Sequence, residues 1–305
     1  MKRSLHQHTR ELREKMSLPL TVLIPCKNEA NNILGCIRSV KTIADEILVA
    51  DSGSTDGTLE LAQASGVCRV IEREYVSYGD FNNWAIPQAT HRWILLLDAD
   101  ERLTPPLAKE IKQELRAPRH AGYWMNRLNH FMGHPIRHGA WCPDRQLRLF
   151  QRDAGQFVGP SDHARYQVLR GTVGRLTQSF DHYTVWSYEQ YLPKLQRYAD
   201  VQSRIWMEQG RSASFWQLLL RGPLRFLQCY FWKRGCLDGL PGLQIAVLTA
   251  YQSFLKQAKL WELQHARQQV DVHTESITDL TNDFSETSES PQPGVLSGST
   301  PIAVD

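Results

Sequence analysis

The first hundred residues carry two alternating rhythms of apolar and polar positions. Short apolar runs stand at LTVLIP (Leu20–Pro25), EILVAD (Glu46–Asp51), VCRVIE (Val67–Glu72) and RWILLLDAD, which begins at Arg92. Between them the spacing changes to that of helices. From about Ala30 to Lys41, Ile33, Ile37 and Val40 fall on one stripe. A second helix opens in STDGTLELAQASG, with Gly66 beyond its end, and a third is expected from Asp80 to Thr90 despite Pro87. Strands alternating with helices of this length predict an α/β domain with a parallel, doubly wound sheet.

The stretch WILLLDADE, Trp93–Glu101, drives five apolar residues into three acids. It is too short to span a membrane and too evenly apolar for a half-exposed strand, so it reads as a strand buried on both faces. Open α/β sheets bind ligands beyond the carboxyl ends of their strands, which places Asp98, Asp100 and Glu101 at a crevice. The plainer alternative is that these acids cap the helix that Thr104-Pro105 opens. Two other strand ends agree with the crevice, because IPCKNE and ADSGSTDGT also bring polar groups to the same edge. DSGSTDG lacks the glycine spacing and position of a dinucleotide fingerprint and the lysine of a Walker loop. A phosphatase of the Asp-x-Asp-x-Thr kind is disfavoured by Arg102. Two carboxylates one residue apart on a turn suit Mg²⁺ or Mn²⁺, which take few protein carboxylates and complete their shell with phosphate and water. Such a cation offsets charge growing on a diphosphate leaving group, pointing to transfer from a nucleotide-diphosphate donor.

VLIPCKNEANNILGCIRSV, EILVADSGSTDGTLELA and WILLLDADE, in this order, resemble the family 2 glycosyltransferases of GT-A fold. WCPDRQLRLFQRDAGQF and DGLPGLQIAVLTAYQSFLKQAKLWE are similar to the bacterial branch that builds lipopolysaccharide core, the beta-1,4-glucosyltransferase group. The resemblance covers roughly residues 18–265. It implies that Pro25 and Glu29 line the nucleotide, Asp51 hydrogen-bonds the base, Asp98 lies against ribose and diphosphate, and Asp100 holds the metal. It also implies an inverting mechanism, in which a carboxylate takes the acceptor's proton. Here the chain departs from the family. Where relatives often carry His-Glu, this sequence has His163-Ala164, so Asp162, His163 itself and Asp144 stand as candidate bases, with Asp162 favoured. Arg137, Arg145, Arg148 and Arg152 could fork phosphates, or belong to an ordinary charged strand face with Leu147 and Leu149 inward. His182 and Tyr183 resemble the family's strand-end histidine, with their role left open.

After Ser187 the composition shifts to long helices. In SFWQLLLRGPLRFLQCYFWKRG, Gln217, Arg221, Arg225 and Gln228 form one polar stripe on an otherwise apolar and aromatic helix, kinked at Gly222-Pro223. Such a helix is expected to lie in a membrane interface with its stripe outward and Lys233 and Arg234 at the headgroups, or else to pack as a protein contact. No stretch is long enough to cross a bilayer, and the N-terminus carries no signal-peptide core.

Charge sharpens this picture. All 35 basic residues and 25 of the 32 acids precede Asp271, a net of +10, and the remainder is an acidic tail expected to be disordered. A positive body suits phosphate-bearing ligands or an anionic membrane, while no nucleic-acid-binding signature is present. Six scattered cysteines without a Cys-x-x-Cys pair suit a reducing cytosol. The expected organisation is a polar lead-in (1–18), a GT-A catalytic domain (19–185), a helical membrane and acceptor region (186–268) and the tail (269–305). The expected protein moves a hexose, first of all glucose from UDP-glucose, to a lipopolysaccharide-core or other lipid-linked acceptor. It is expected in the cytoplasm, peripheral on the inner membrane face. The alternatives are a polyprenyl-phosphate acceptor and a nucleotide-binding module without turnover. A nucleotidyltransferase is disfavoured, since CKNEANN has no glycine-rich basic loop.

Overall fold

The computed structural model describes residues 18–159 and 164–286, with side chains through residue 265. Strands β1 (Leu20–Cys26), β2 (Glu46–Asp51), β3 (Arg69–Glu72) and β4 (Trp93–Leu96) lie parallel, linked by helices α1 (Ile33–Val40), α2 (Thr58–Ala64) and α3 (Tyr78–Ala85). Next come β5 (Glu101–Arg102), α4 (Pro105–Glu114), β6 (Gly122–Phe131), β7 (His134–Pro135), β8 (Arg145–Gln151), the hairpin of β9 (Gly155–Val158) and β10 (Arg165–Val168), and β11 (Val173–Val185). The main sheet runs β3-β2-β1-β4-β8-β6-β11-β5, with β7 beside β6. Here β8 and β5 run against their neighbours, whereas β6 and β11 are parallel.

The apolar runs became strands because both faces of the sheet are covered. β4 is buried along its whole length, and the α1 stripe of Ile33, Ile37 and Val40 packs with Val22, Ile24 and Leu95 on one side. Leu23, Leu48, Ile94 and Phe81 pack on the other. Boundaries moved where local chemistry decided them. α1 starts at Ile33 rather than Ala30, because Asn28 is left-handed (φ 55°) and a turn folds Asn32 back onto the Glu29 carbonyl. β3 starts at Arg69 rather than Val67, just beyond the left-handed Gly66. α3 starts at Tyr78, capped by the Ser77 hydroxyl, and the expected run to Thr90 ends instead in a 3₁₀ turn (Ile86–Gln88) containing Pro87.

Glu46 ties the edge opposite the site. Its carboxylate accepts from the Thr21 hydroxyl (2.6 Å), the Thr90 amide (2.7 Å) and Arg69 (2.8 Å). Burial opposes its ionisation, but these donors outweigh burial and lower its pKa from 4.5 to about 2. A depressed carboxylate stabilises the fold above its unfolded pKa and loses that contribution as pH falls. Acid titration of the melting temperature should therefore show wild type falling toward Glu46→Gln between about pH 4.5 and pH 2. A constant gap across that window would refute the role.

Helices α5 (Tyr188–Glu208), α6 (Phe215–Leu227) and α7 (Gly239–Glu286) follow the sheet, with a π-helical turn over Gln228–Trp232. α5 and α7 join it through a shared cluster of Phe131, Ile136 and Val185 with Leu195, Ile245 and Leu248, and α6 packs on α7. The Asp238 carboxylate adds a polar clasp, accepting from the backbone amides of Arg137 (3.1 Å) and His138 (2.8 Å) and meeting His138 Nδ1 at 2.9 Å. α7 continues to Glu286, through residues 271–286 where composition predicts disorder. The polar stripe of α6 is also placed differently from the expectation. Arg221, Arg225 and Gln228 line a cleft with residues of α5 and α7, Arg225 half-buried and the other two still exposed, while apolar side chains also face outward. Phe226 and Tyr230 are half-buried and stack at 5.3 Å. Among the described residues, no helix is long and apolar enough to cross a membrane.

Candidate active site

The acids after β4 do not cap the next helix. Thr104 does, accepting from the Leu107 amide at 3.4 Å, with Pro105 in the first turn. The acids fold into a tight turn instead. The Glu101 amide donates to the Asp98 carbonyl (2.9 Å), and the Asp98 amide donates to Glu101 Oε2 (3.0 Å). Glu101 is fully buried. Arg148 from β8, itself 5 % exposed, donates to Glu101 Oε1 (2.8 Å), to Asp98 Oδ2, and to the Tyr78 hydroxyl (3.0 Å). Arg127 from β6 reaches Glu101 Oε1 (3.3 Å) and Asp144 Oδ2 (2.8 Å).

The chain of contacts ends at Asp100. Asn129 donates its amide to Asp144 Oδ2 (3.0 Å) and the Trp141 carbonyl (3.3 Å), so its oxygen must accept from His182 Nδ1–H at 2.6 Å. With Nδ1–H given to Asn129, Nε2 faces Asp100 Oδ2 3.3 Å away, as a donor when the ring is charged and as a lone pair when it is neutral. Burial disfavours the Asp100 carboxylate, but the hydrogen bond and charge of His182, with Lys194 and Arg127 beyond, hold its pKa below the ordinary value. Glu29 goes the other way, its pKa raised by burial and by Asp100 and Asp98, against the Asn32 hydrogen bond.

Two cavities meet at these groups. One of about 260 Å³ is lined by Pro25, Cys26, Lys27, Glu29, Ser52 and Tyr75, among others. The other, of about 560 Å³, extends past Trp124, Arg127, Arg165, Lys194 and Tyr198. Tyr78, Asp98, Asp100 and His182 line both. The structure thus brings together Pro25, Glu29, Asp98 and Asp100. Asp51 stands apart: it is 1 % exposed and spends its oxygens on the amides of Gly53 and Ser54 (2.8 Å each) and the Ser54 hydroxyl, while Ser52 lines the cavity.

Asp162 and His163 lie outside the described residues. Ala164, next in the chain, lines the larger cavity, and a Cβ on Gly79 would come within 2.6 Å of its methyl group. Asp144 is a poor base, because Arg127, Asn129 and Gln146 occupy its oxygens and hold its pKa low against burial. Arg148 is no free phosphate fork, being committed to Asp98 and Glu101, and Arg152 donates to the Ala89 carbonyl. Burial raises the Cys26 thiol pKa, which fits a packed residue. Arg127, Asn129 and Lys194 join the site without a motif to mark them; for the first two the signal in the sequence is polar residues on alternate positions of a central strand, NRLNHF.

A lipopolysaccharide core biosynthesis glycosyltransferase, LpsC, of Rhizobium meliloti (strain 1021) is 30 % identical over 251 residues, covering 80 % of this chain and 93 % of that one. The chain belongs to the family 2 glycosyltransferases. Residues 21–172 match the description Glycosyl transferase family 2. An uncharacterized glycosyltransferase of Rickettsia felis (strain ATCC VR-1525 / URRWXCal2) is 27 % identical over 254 residues, covering 80 % of this chain and 89 % of that one. Among solved structures, S. aureus TarS 1-349 in complex with UDP-GlcNAc aligns over 82 % of this chain and 92 % of its own, at TM-score 0.42 and 13 % identity. The family 2 glycosyltransferase reading accounts for the fold: a mostly parallel GT-A sheet whose strand ends carry the polar cluster, followed by helices.

Proposed function

We propose that this glycosyltransferase inverts the anomeric carbon of a hexose as it moves it from a UDP-sugar, glucose in the first instance, to a lipopolysaccharide-core or other lipid-linked saccharide at the cytoplasmic membrane face. The observation that carries the reading is the pair of cavities joined at Asp98, Asp100 and His182. The smaller lobe, with Pro25, Glu29 and Ser52, suits a nucleotide. The larger, with Trp124, Tyr198 and Thr184 among polar groups, suits a sugar and its acceptor. Incubating the protein with a panel of nucleotide sugars should show slow hydrolysis of UDP-hexose above the others, and equal inertness to all would sink the proposal.

Asp100 and His182 fit a Mg²⁺ or Mn²⁺ ion. They offer a carboxylate and an imidazole nitrogen side by side, and among the described residues no third acid, histidine or cysteine joins them. Two protein donors leave room for diphosphate oxygens and water, as these cations prefer. When bound, the ion would offset negative charge on the departing diphosphate. Lys194, close enough to lower the pKa of both Asp100 and Glu29, would add a second positive charge there. Arg127 and Arg148 keep the surrounding carboxylates compensated and the turn rigid.

The acceptor's proton needs a base, and Asp162 is the proposed one, with His163 the neighbouring candidate. Asp162→Asn should cut turnover about a hundredfold or more while leaving donor affinity unchanged, the usual scale for loss of a general base. If His163→Ala is the damaging change instead, the assignment moves by one residue.

Membrane docking is supported by the outward face of α6 and the turn after it. Phe215, Trp216, Leu219 and Phe231 are all more than half exposed there, and Trp232 is more exposed still. Exposed apolar and aromatic side chains gathered on one element mark an interaction surface more often than ordinary solvent-facing protein. Replacing Phe231 and Trp232 with Ser should release the protein from floated vesicles without lowering its melting temperature or its donor hydrolysis. A collapse of all three readouts would mean the face packs against protein.

A further inference from the structure

The contact between α6 and α7 has the polarity of an ordinary helix pair turned inside out. Arg221, Leu224, Arg225 and Gln228 follow the i, i+3, i+4, i+7 spacing that normally buries apolar side chains. Thr249, Gln252, Ser253 and Lys256 repeat the spacing on α7 and face them. With Trp206 of α5 and Trp232 they line an open cleft of about 650 Å³. Three cations converge on it, no carboxylate lines it, and among the described residues none of the three is ion-paired. Among the described residues Arg225 donates to the Gln228 amide oxygen alone (2.6 Å), and Arg221 lies over the Trp206 ring at 5.3 Å. Hydroxyl and amide groups at 249, 252 and 253 add hydrogen-bond partners.

Arg225 and Lys256 are half-buried and Arg221 stands exposed beside them, so these like charges repel one another and an anion among them would relieve the repulsion. Burial and the adjacent Arg225 and Arg221 guanidinium groups push the Lys256 pKa down. On the other flank of α6 lies an apolar groove of about 880 Å³, lined by Phe215, Leu219, Phe226, Val247, Tyr251 and Phe254, among others. Gly222 separates the two spaces: it is buried, and a Cβ there would sit 3.6 Å from the Ala250 carbonyl. A cationic, hydrogen-bonding chamber and an apolar groove thus share one helix.

We propose that the chamber of Arg221, Arg225 and Lys256 is a binding site for the phosphate headgroup of an anionic lipid, whose chains lie along the apolar groove of α6 and α7. This deepens the membrane reading above and rests on it. The occupant's charge is set by the three uncompensated cations, and its amphipathic character by the groove. Arg forks suit phosphate oxygens, Lys256 supplies a point charge, and Trp232, 87 % exposed, sits at the rim as aromatic residues do at membrane interfaces.

The test is vesicle co-flotation of the full chain. Vesicles of phosphatidylcholine alone are compared with vesicles containing phosphatidylglycerol, for wild type, Arg225→Gln/Lys256→Gln, and Lys233→Gln/Arg234→Gln as a control in the same region. The site predicts that the first variant loses about tenfold or more in affinity for the anionic vesicles, as expected for two basic contacts. It should keep its affinity for the neutral ones, its donor hydrolysis and its melting temperature. The control should lose less than about threefold, since its charges are exposed and screened. Equal losses in both variants would overturn the site in favour of diffuse attraction. Wild type binding both vesicles equally would overturn it too while leaving membrane docking intact. Binding to neither would overturn the docking itself. If the double variant melts early, Arg225→Gln alone is used, with a loss of about threefold or more expected and no loss overturning the site. As a final arm, inorganic phosphate alone is titrated against tryptophan fluorescence. A saturable millimolar or tighter change that Lys256→Gln abolishes would reassign the chamber to soluble phosphate and overturn the lipid assignment.

Discussion

Asp100→Ala should lower sugar transfer by about a thousandfold or more, equivalent to roughly 4 kcal/mol of transition-state stabilisation, while the protein stays folded. The carboxylate is turned away from the core and toward the shared mouth of both cavities, where its side-chain partner is His182 Nε2. Its removal therefore leaves no unpaired buried charge behind. Titration with Mn²⁺ followed by electron paramagnetic resonance gives a readout independent of turnover: wild type should bind one ion in the presence of UDP, and Asp100→Ala and His182→Ala should each bind far more weakly. Asn129→Leu should fall between. It touches no ion, but it takes away the acceptor that holds the His182 ring, and outer partners of a metal ligand typically matter by about ten- to a hundredfold in affinity. Full transfer by Asp100→Ala in the presence of EDTA would refute the metal site altogether.

The parts of the molecule that were legible in the sequence are those governed by local rules. β1, β2 and β4 fell where the apolar runs stood, because strands covered on both faces must be apolar throughout. Pro25, Glu29, Asp98 and Asp100 converge because parallel strands all deliver their ends to one edge. Asp51 shows the limit of that rule. A strand-end acid can serve a ligand, its own turn or both, and the amides of Gly53 and Ser54 that donate to Asp51 are visible only in three dimensions. The remaining site residues depend on distant pairings. Asn129 meets His182 only because β6 lies parallel to β11 in a register that pairs those two positions. Arg148 looked like one of four arginines on a strand face. Its burial follows from β8 entering the sheet beside β4, directly over the acids. The spacing of Arg221, Arg225 and Gln228 puts them on one side of α6, but a lone helix cannot say whether that side meets water or a neighbouring helix.

Arg148→Ala should be the most destabilising single change in the catalytic half. The guanidinium is buried and bridges two carboxylates, Asp98 and the fully buried Glu101. Removing one partner of a buried pair leaves charge without compensation and typically costs about 3–5 kcal/mol. For a chain of this size that corresponds to a melting temperature lower by roughly 10 °C. Arg148→Lys should recover only part of the loss, because a single ammonium cannot reach Asp98, Glu101 and Tyr78 together. Acid should repair the alanine variant. Burial already raises the Glu101 pKa, with Asp98 adding to the rise and Arg148 the main opposing charge. Without Arg148 that pKa climbs further, so the folded state binds more protons than the unfolded one, and stability then increases as pH falls. The gap between wild type and Arg148→Ala in urea denaturation should therefore narrow from pH 7 toward about pH 5, before Glu46 begins to titrate. A gap that stays constant over that range would show that the cost comes from lost packing around the arginine stem rather than from stranded carboxylates.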